Sequence, residues 1–254
     1  MKYIILEKSE GIATVTFNRP DKFNAFNWEM EAEVFDAFKQ VEQDKDVRVL
    51  VITGAGPAFC TGADIEEMFQ GTIDRGGLTG AEEYDLPFRN MVPVIASING
   101  LAIGAGLTIT LQCDIRIAAE EARFSLPFVP FGIVPEAGST YFLSRLIGIA
   151  KACELVFTGK TITAGEGKEL GLVNEVVPAA ELKEATYKLA RRIAQGAPLA
   201  MQMAKKGLYQ GLEASIKDQI EYEKSALMTL MRTEDFQEAT KAFQEKRKPI
   251  FKGK

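Results

Sequence analysis

Glu136 stands in the stretch "GIVPEAGSTY" (132–141), a carboxylate set between a proline and a run of small residues. The chain contains no histidine, which removes Ser-His-Asp and Cys-His nucleophiles and the usual His-rich zinc site. Proton transfer then falls to Asp, Glu, Lys, Tyr, Cys or water. Two readings of Glu136 stay open on local grounds. Pro-Glu in the first turn of a helix is common and mildly stabilising; the alternative is a carboxylate that handles protons. The three cysteines, Cys60, Cys113 and Cys153, are far apart and odd in number. They fit reduced, buried thiols better than a disulfide set or a metal site, and the expected setting is the cytoplasm.

Glycine turns offer the second kind of chemistry. In "GLAIGAG", Gly104 and Gly106 would need a third glycine where Ile109 stands, so the dinucleotide fingerprint fails. "TGKT" (158–161) ends like a phosphate loop, but Glu154 occupies the position of the required glycine, and Gly159 reads as a helix C-cap. "CTGADI" and "GLAIGAG" remain as glycine-bearing turns after strands. Backbone N–H groups at such turns can converge on an anion or a polarised carbonyl; close helix–strand packing is the competing explanation.

The elements that must hold these residues follow from periodicity. "YIILEKSEGIATVTFNRP" reads as a hairpin around Glu10-Gly11, stopped by Pro20. In "WEMEAEVFDAFKQVEQD", Met30, Val34, Phe35, Phe38 and Val41 recur at helical intervals. "VRVLVITGAG" is a buried strand ending in glycines, and "FCTGADIEEMF" leaves that loop into a short helix. Residues 71–90 are polar and Gly-rich without a period and read as a mobile loop. "PVIASINGLAIGAGLTITLQCDIRIAA" holds a strand, a Gly-rich turn, a helix and another strand, and "ARFSLPFVPFGIVP" is extended and broken by prolines. Helices are predicted near 139–147 and 150–157, then a short helix and a last strand in "TITAGEGKELGLVNEVV". From about residue 181 the pattern is helical, with apolar stripes too rich for lone surface helices. This predicts an α/β body, then a helical tail that packs on something, such as another subunit.

At 254 residues the chain suits one domain of ordinary size plus a small appendage. A net charge of −5 argues against a general nucleic-acid or anionic-membrane role, although "KAFQEKRKPIFKGK" is locally basic. No stretch is apolar enough to span a bilayer, and the N-terminus lacks a signal-peptide pattern.

"RPDKFNAF", "FCTGADIEEM", "PVIASINGLAIGAGLTITLQCDIRIAAEEARFSLPF" and "GIVPEAGST", in this order, resemble the crotonase superfamily of enoyl-CoA hydratases and isomerases. The resemblance runs from about residue 3 to the terminal "AFQEKRK". It implies a spiral of ββα units over 1–196 and a helical region over 197–254 that builds homotrimers, often paired into hexamers. It also implies an acyl-CoA thioester substrate, with coenzyme A arriving on the substrate and no separate cofactor or metal. By motif, the thioester carbonyl lies between the backbone N–H groups of Ala63 and Ala105, the family usually having glycine at the second position. Lys22, Ala25, Ala63, Asp64, Ile65 and Gly104 fall on the CoA-binding positions, and Phe243 and Lys246, of the same or a neighbouring subunit, near the nucleotide end. Family hydratases carry two glutamates; Thr108 and Phe128 stand at those positions here. Adding water needs a base and an acid, so hydration is disfavoured. Glu136 matches the single catalytic glutamate of the Δ3,Δ2-enoyl-CoA isomerases. An allylic shift needs only one base, and an apolar pocket hinted at by Phe124, Phe128 and Phe131 would strengthen it. Ring or epoxide thioester isomerisation is the alternative within the family, and a non-catalytic acyl-CoA-binding protein the alternative outside catalysis. Thr108 and Tyr141 are further candidates to touch the acyl chain, Asp114 a backbone-bonded strand-start residue, and Glu66 and Glu67 solvated acids.

Overall fold

A computed structural model describes residues 1–69 and 92–254; the stretch 71–90, read above as a mobile loop, lies outside the described residues. The hairpin forms as expected, with β1 (Ile4–Ser9) antiparallel to β2 (Ile12–Phe17). β3 (Val49–Gly54) then crosses over to lie parallel to β2. It is followed by β4 (Ala58–Cys60), β5 (Val94–Ile98), β6 (Leu101–Ile103), β7 (Ile115–Ala119), β8 (Arg123–Ser125), β9 (Ile162–Thr163) and β10 (Glu175–Val177). Two sheets result, one in the order β1-β2-β3-β5-β7-β10 and the other β4-β6-β8-β9. The chain therefore alternates between sheets. Each turn of the spiral lays one strand in the large sheet and one in the small sheet, then a helical segment: the π-type turn Ile65–Phe69, α2 (Ala105–Gln112), or α3 (Ser139–Ile147) with α4 (Ile149–Thr158). This is the spiral of ββα units that the resemblance implies.

The β-branched runs of β3 and β5 are buried on both faces, as a covered parallel sheet requires. Leu50 and Ile52 face the main core with Met30, Val34 and Phe38 of α1 (Trp28–Gln43). Val49 and Val51 point the other way, against Leu182, Ala190 and Ala194 of α6 (Leu182–Ala194), the helix after the short α5 (Ala164–Glu169). Asn27 caps α1, its Oδ1 accepting from Met30 N at 2.9 Å. Gly159 caps α4 in the left-handed conformation, as read from sequence.

Two departures concern the site. The turn read in "GLAIGAG" contains the three-residue strand β6, too short to show a period and held by β4 on one side and β8 on the other. The extended reading of "ARFSLPFVPFGIVP" holds only through β8; Pro130 then sits in the 3-10 turn Val129–Phe131.

The tail consists of α7 (Pro198–Gln210), α8 (Ile216–Leu230) and α9 (Glu234–Gln244). α7 is tied to the body at Asp114, which does more than bond to backbone: it accepts from Val94 N, Lys205 Nζ and Tyr209 OH at 2.7–2.8 Å. α8 buries none of its residues fully. No helix among the described residues is long and apolar enough to cross a membrane.

Candidate active site

The first half of the site is built around Arg19. Arg19 is 7% exposed; its guanidinium donates to Ala25 O and Asp64 Oδ2 at 3.1 and 2.8 Å, and to Glu67 Oε1 at 2.8 Å. Burial alone would raise the Asp64 carboxyl, but the hydrogen bond and charge of Arg19 hold it below its ordinary value. Glu67 also accepts from Asn27 Nδ2 at 2.9 Å, so the reading of Glu67 as a purely solvated acid is corrected. These bonds lock "RPDKFNAF" onto "TGADI". Phe26 then forms a parallel bridge with Ala63, donating to Gly62 O and accepting from Asp64 N, both at 2.7 Å. In such a bridge the neighbours of Ala63 serve Phe26, and the N–H of Ala63 is left unpaired among the described residues.

The second half is the start of α2. Ala105 is its first residue, so its N–H is one of the orphan donors of a helix N-terminus. Gly62 (φ 94°) and Gly104 (φ 52°) both lie in the left-handed region that favours glycine. They also touch: a Cβ added at Gly62 would lie 3.3 Å from Ala105 N. The two orphan N–H groups therefore belong to adjoining turns. Close packing operates here too, since a Cβ at Gly106 would come within 2.1 Å of Cys60 O. Ala105 is not among the residues with positive φ, so an alanine serves at this position without strain.

Glu136 lies in neither helix nor strand, a correction to the first-turn reading. α3 begins only at Ser139, after Ala137 (φ 54°) and Gly138 (φ 69°) turn the chain. Its Oε1 accepts from Thr108 Oγ1 at 2.7 Å, and Thr108 Oγ1 also lies 3.1 Å from Ala105 O. One hydroxyl hydrogen serves one acceptor at a time. It goes to the carboxylate when Glu136 is ionised, and to Ala105 O when protonated Glu136 donates in turn. Both protonation states are thus satisfied.

Glu136, Thr108 and Ala105 line one cavity of about 70 Å³, closed by Phe26, Val34, Phe35 and Phe38, with Ile109, Gln112, Ala137 and Glu31 completing it. The apolar wall is therefore not the one anticipated. Phe124 is buried beside Gly167, Phe128 is packed in the core at 8% exposure, and Phe131 is 62% exposed. Desolvation raises the Glu136 carboxyl above its ordinary value; the Thr108 bond partly opposes this and the charge of Glu31 adds to it.

Lys22 and Ile65 are exposed on the segments that hold Ala25 and Asp64, which are buried. Phe243 and Lys246 are exposed at the end of α9 and do not line the cavity. Tyr141 OH donates to Glu213 Oε1 at 2.9 Å. Sequence reasoning passed over Phe26, Glu31, Val34 and Gln112 as site residues. The α1 stripe looks like ordinary core; the one available signal was a glutamine inside the apolar run of α2. Burial pushes the thiols of Cys60 and Cys113 up to about 12, which leaves them unreactive. No cluster of three or more metal-ligating side chains occurs among the described residues.

A family model described as enoyl-CoA hydratase/isomerase matches residues 7–254. The chain is 39% identical over 249 residues to a short-chain-enoyl-CoA hydratase of Clostridium acetobutylicum, covering 96% of this chain and 95% of that one. It is 33% identical to the 1,2-epoxyphenylacetyl-CoA isomerase of Escherichia coli, with both chains covered fully. Among solved structures, an enoyl-CoA hydratase from Bacillus anthracis superposes with a TM-score of 0.91 at 34% identity, over 99% of this chain and 100% of that one.

Proposed function

Because the chain belongs to the enoyl-CoA hydratase/isomerase family, we propose that it is an acyl-CoA isomerase, converting 3-enoyl-CoA to trans-2-enoyl-CoA with Glu136 as the proton shuttle. The observation that carries this reading is a desolvated carboxylate in a cavity that Ala105 also lines, its hydrogen-bond partner a threonine rather than a second acid, with the orphan N–H of Ala63 in the turn adjoining Ala105.

In the proposed reaction the thioester oxygen lies between the N–H groups of Ala63 and Ala105. Glu136 removes a proton from C2, and the electron pair moves onto that oxygen as an enolate. Reprotonation at C4 by the same carboxyl group leaves the double bond between C2 and C3, with no water consumed. Each N–H donor is worth about 3 kcal/mol of barrier in such a site. The raised Glu136 basicity serves the first half of the cycle and the Thr108 hydroxyl satisfies the carboxyl in the second. Coenzyme A arrives as part of the substrate, along Lys22, Ala25, Asp64, Ile65 and Gly104. The tail residues Phe243 and Lys246 approach its nucleotide end within a homotrimer or a dimer of trimers.

Glu136→Gln is expected to lower turnover of a 3-enoyl-CoA by roughly 10²- to 10⁴-fold while CoA-ester binding survives. Persistent turnover would sink the assignment. The Clostridium relative's name makes hydration the reaction to assay alongside: hydration of a 2-enoyl-CoA outpacing the double-bond shift would replace the one-base reading. The phenylalanine-lined cavity and the epoxide-isomerising relative favour including aromatic thioesters in the same panel.

A further inference from the structure

Gln112 sits one helical turn beyond Thr108 on α2, and it too bears on Glu136. Thr108 holds the carboxylate itself; Gln112 Nε2 donates to the backbone oxygen of the next residue, Ala137, at 2.9 Å. Ala137 has φ 54°, a left-handed conformation that a residue with a Cβ resists. Gly138 continues left-handed at φ 69°, and Ser139 N closes the turn on Glu136 O at 3.0 Å. The direction of the Glu136 side chain therefore depends on a backbone turn that alanine disfavours.

The amide that grips this turn is costly in its place. Gln112 is 6% exposed, on a helix that also buries Leu107, Thr108, Thr110 and Leu111, the two threonines with their hydroxyls hydrogen-bonded. Its Oε1 is buried without a hydrogen-bond partner among the described residues. Burying half an amide unsatisfied lowers stability relative to an apolar side chain of similar shape. What the glutamine supplies in return is its bond to Ala137.

We propose that Gln112 is a positioning residue for the Glu136 base: it holds Ala137 left-handed and so keeps the carboxylate against Thr108 and toward the cavity. This rests on the reading of Glu136 as the base. α2 then grips the base at two points a turn apart, while its first N–H belongs to the oxyanion site. Carboxylate and donor are registered on one rigid element.

The test is a double-mutant cycle on 3-enoyl-CoA turnover, using Gln112→Leu, Ala137→Gly and the pair, with Glu136→Gln as reference. Gln112→Leu is expected to lower kcat roughly 10- to 100-fold with KM changed less than about threefold, because geometry and not binding is lost. In the Ala137→Gly background the same change is expected to cost less than about threefold, since glycine holds the left-handed turn unaided. Thermal melts verify folding, and Gln112→Met, closer in length, repeats the cycle if leucine unsettles the helix. Wild-type kcat in Gln112→Leu, with Glu136→Gln inactive, overturns the positioning role and leaves the base assignment standing. Equal losses in both backgrounds also overturn it, as does a rise in KM at constant kcat, which would make Gln112 an acyl-chain contact. Activity in Glu136→Gln overturns both readings together.

Discussion

Burial pushes the Glu136 carboxyl up, the Thr108 hydrogen bond pulls it partly back, and the Glu31 charge adds to the rise. The proposed base works only ionised, so kcat/KM should fall as pH drops through this raised value, above the roughly 4.3 of an unperturbed glutamate. Thr108→Val keeps the shape but removes the hydrogen bond that favours the carboxylate. The acid limb of its pH–rate profile is expected to move to higher pH, and an unmoved limb would show that another group titrates. Stability carries the opposite requirement. A carboxyl with its folded pKa above its unfolded one favours the folded state fully below the unfolded value, and that contribution is lost as pH rises through the folded value. Glu136→Gln, neutral throughout, should therefore melt above wild type at about pH 8, with the gap closing by about pH 4. Scanning calorimetry at the two pH values measures it. A variant that gains stability as it loses turnover is the signature of a group kept for chemistry.

At the scale of elements, the site depends on segments distant in sequence being clamped together. Arg19 and Asp64 form a buried ion pair at 2.8 Å, each 8% exposed at the side chain, and this pair sets the register of the Ala63 turn against Phe26. Arg19→Leu strands the Asp64 charge and is expected to cost about 3–5 kcal/mol, read from urea unfolding, with catalysis impaired in whatever remains folded. Gly106→Ala tests the other seam. Its Cβ would meet Cys60 O at 2.1 Å, so α2 must back away from β4, at roughly 1–3 kcal/mol or more. The same contrast explains what could be read in advance. Helix α1 and the β1–β2 hairpin announced themselves by period, and β3 and β5, covered on both faces, by unbroken apolar runs, whereas β4 and β9, three and two residues long, offered neither. Ala63, Ala105, Thr108 and Glu136 were legible because their motifs carry them. β6, three residues long, has no period to read, and exists through pairing on both sides. The roles of Phe35, Gln112 and Ala137 depend on which surfaces the spiral brings face to face. An apolar helix stripe looks the same whether it covers a core or a cavity.

For the molecule as a whole, the exposed apolar residues are the telling feature. Apolar side chains are exposed on the body, as at Val134, Ile149 and Phe157, and on the tail, where Leu208, Ile216, Leu227 and Met228 are each more than half exposed and α8 buries no residue fully. Ile216, Ile220 and Leu227 recur at helical spacing along one face of α8. Exposed apolar side chains in such a row are what an interface between chains would cover. A closed ring of three copies is the arrangement we expect to cover it. Sedimentation velocity should then report close to three times, or six times, the 27.9 kDa of one chain. Leu227→Lys together with Met228→Lys places charges on that face and should shift the protein toward single chains, since burying an unpaired ammonium costs more than the contact returns. The outcome also bears on the site. The cavity around Glu136 is built within one chain, but exposed Phe243 and Lys246 lie on the tail away from it. If a neighbour's tail completes the coenzyme A end, dissociation raises KM for acyl-CoA severalfold while turnover at saturation persists. A single-chain wild type would remove the ring altogether. Dissociated chains with unchanged KM would keep the ring but confine coenzyme A to contacts within one subunit.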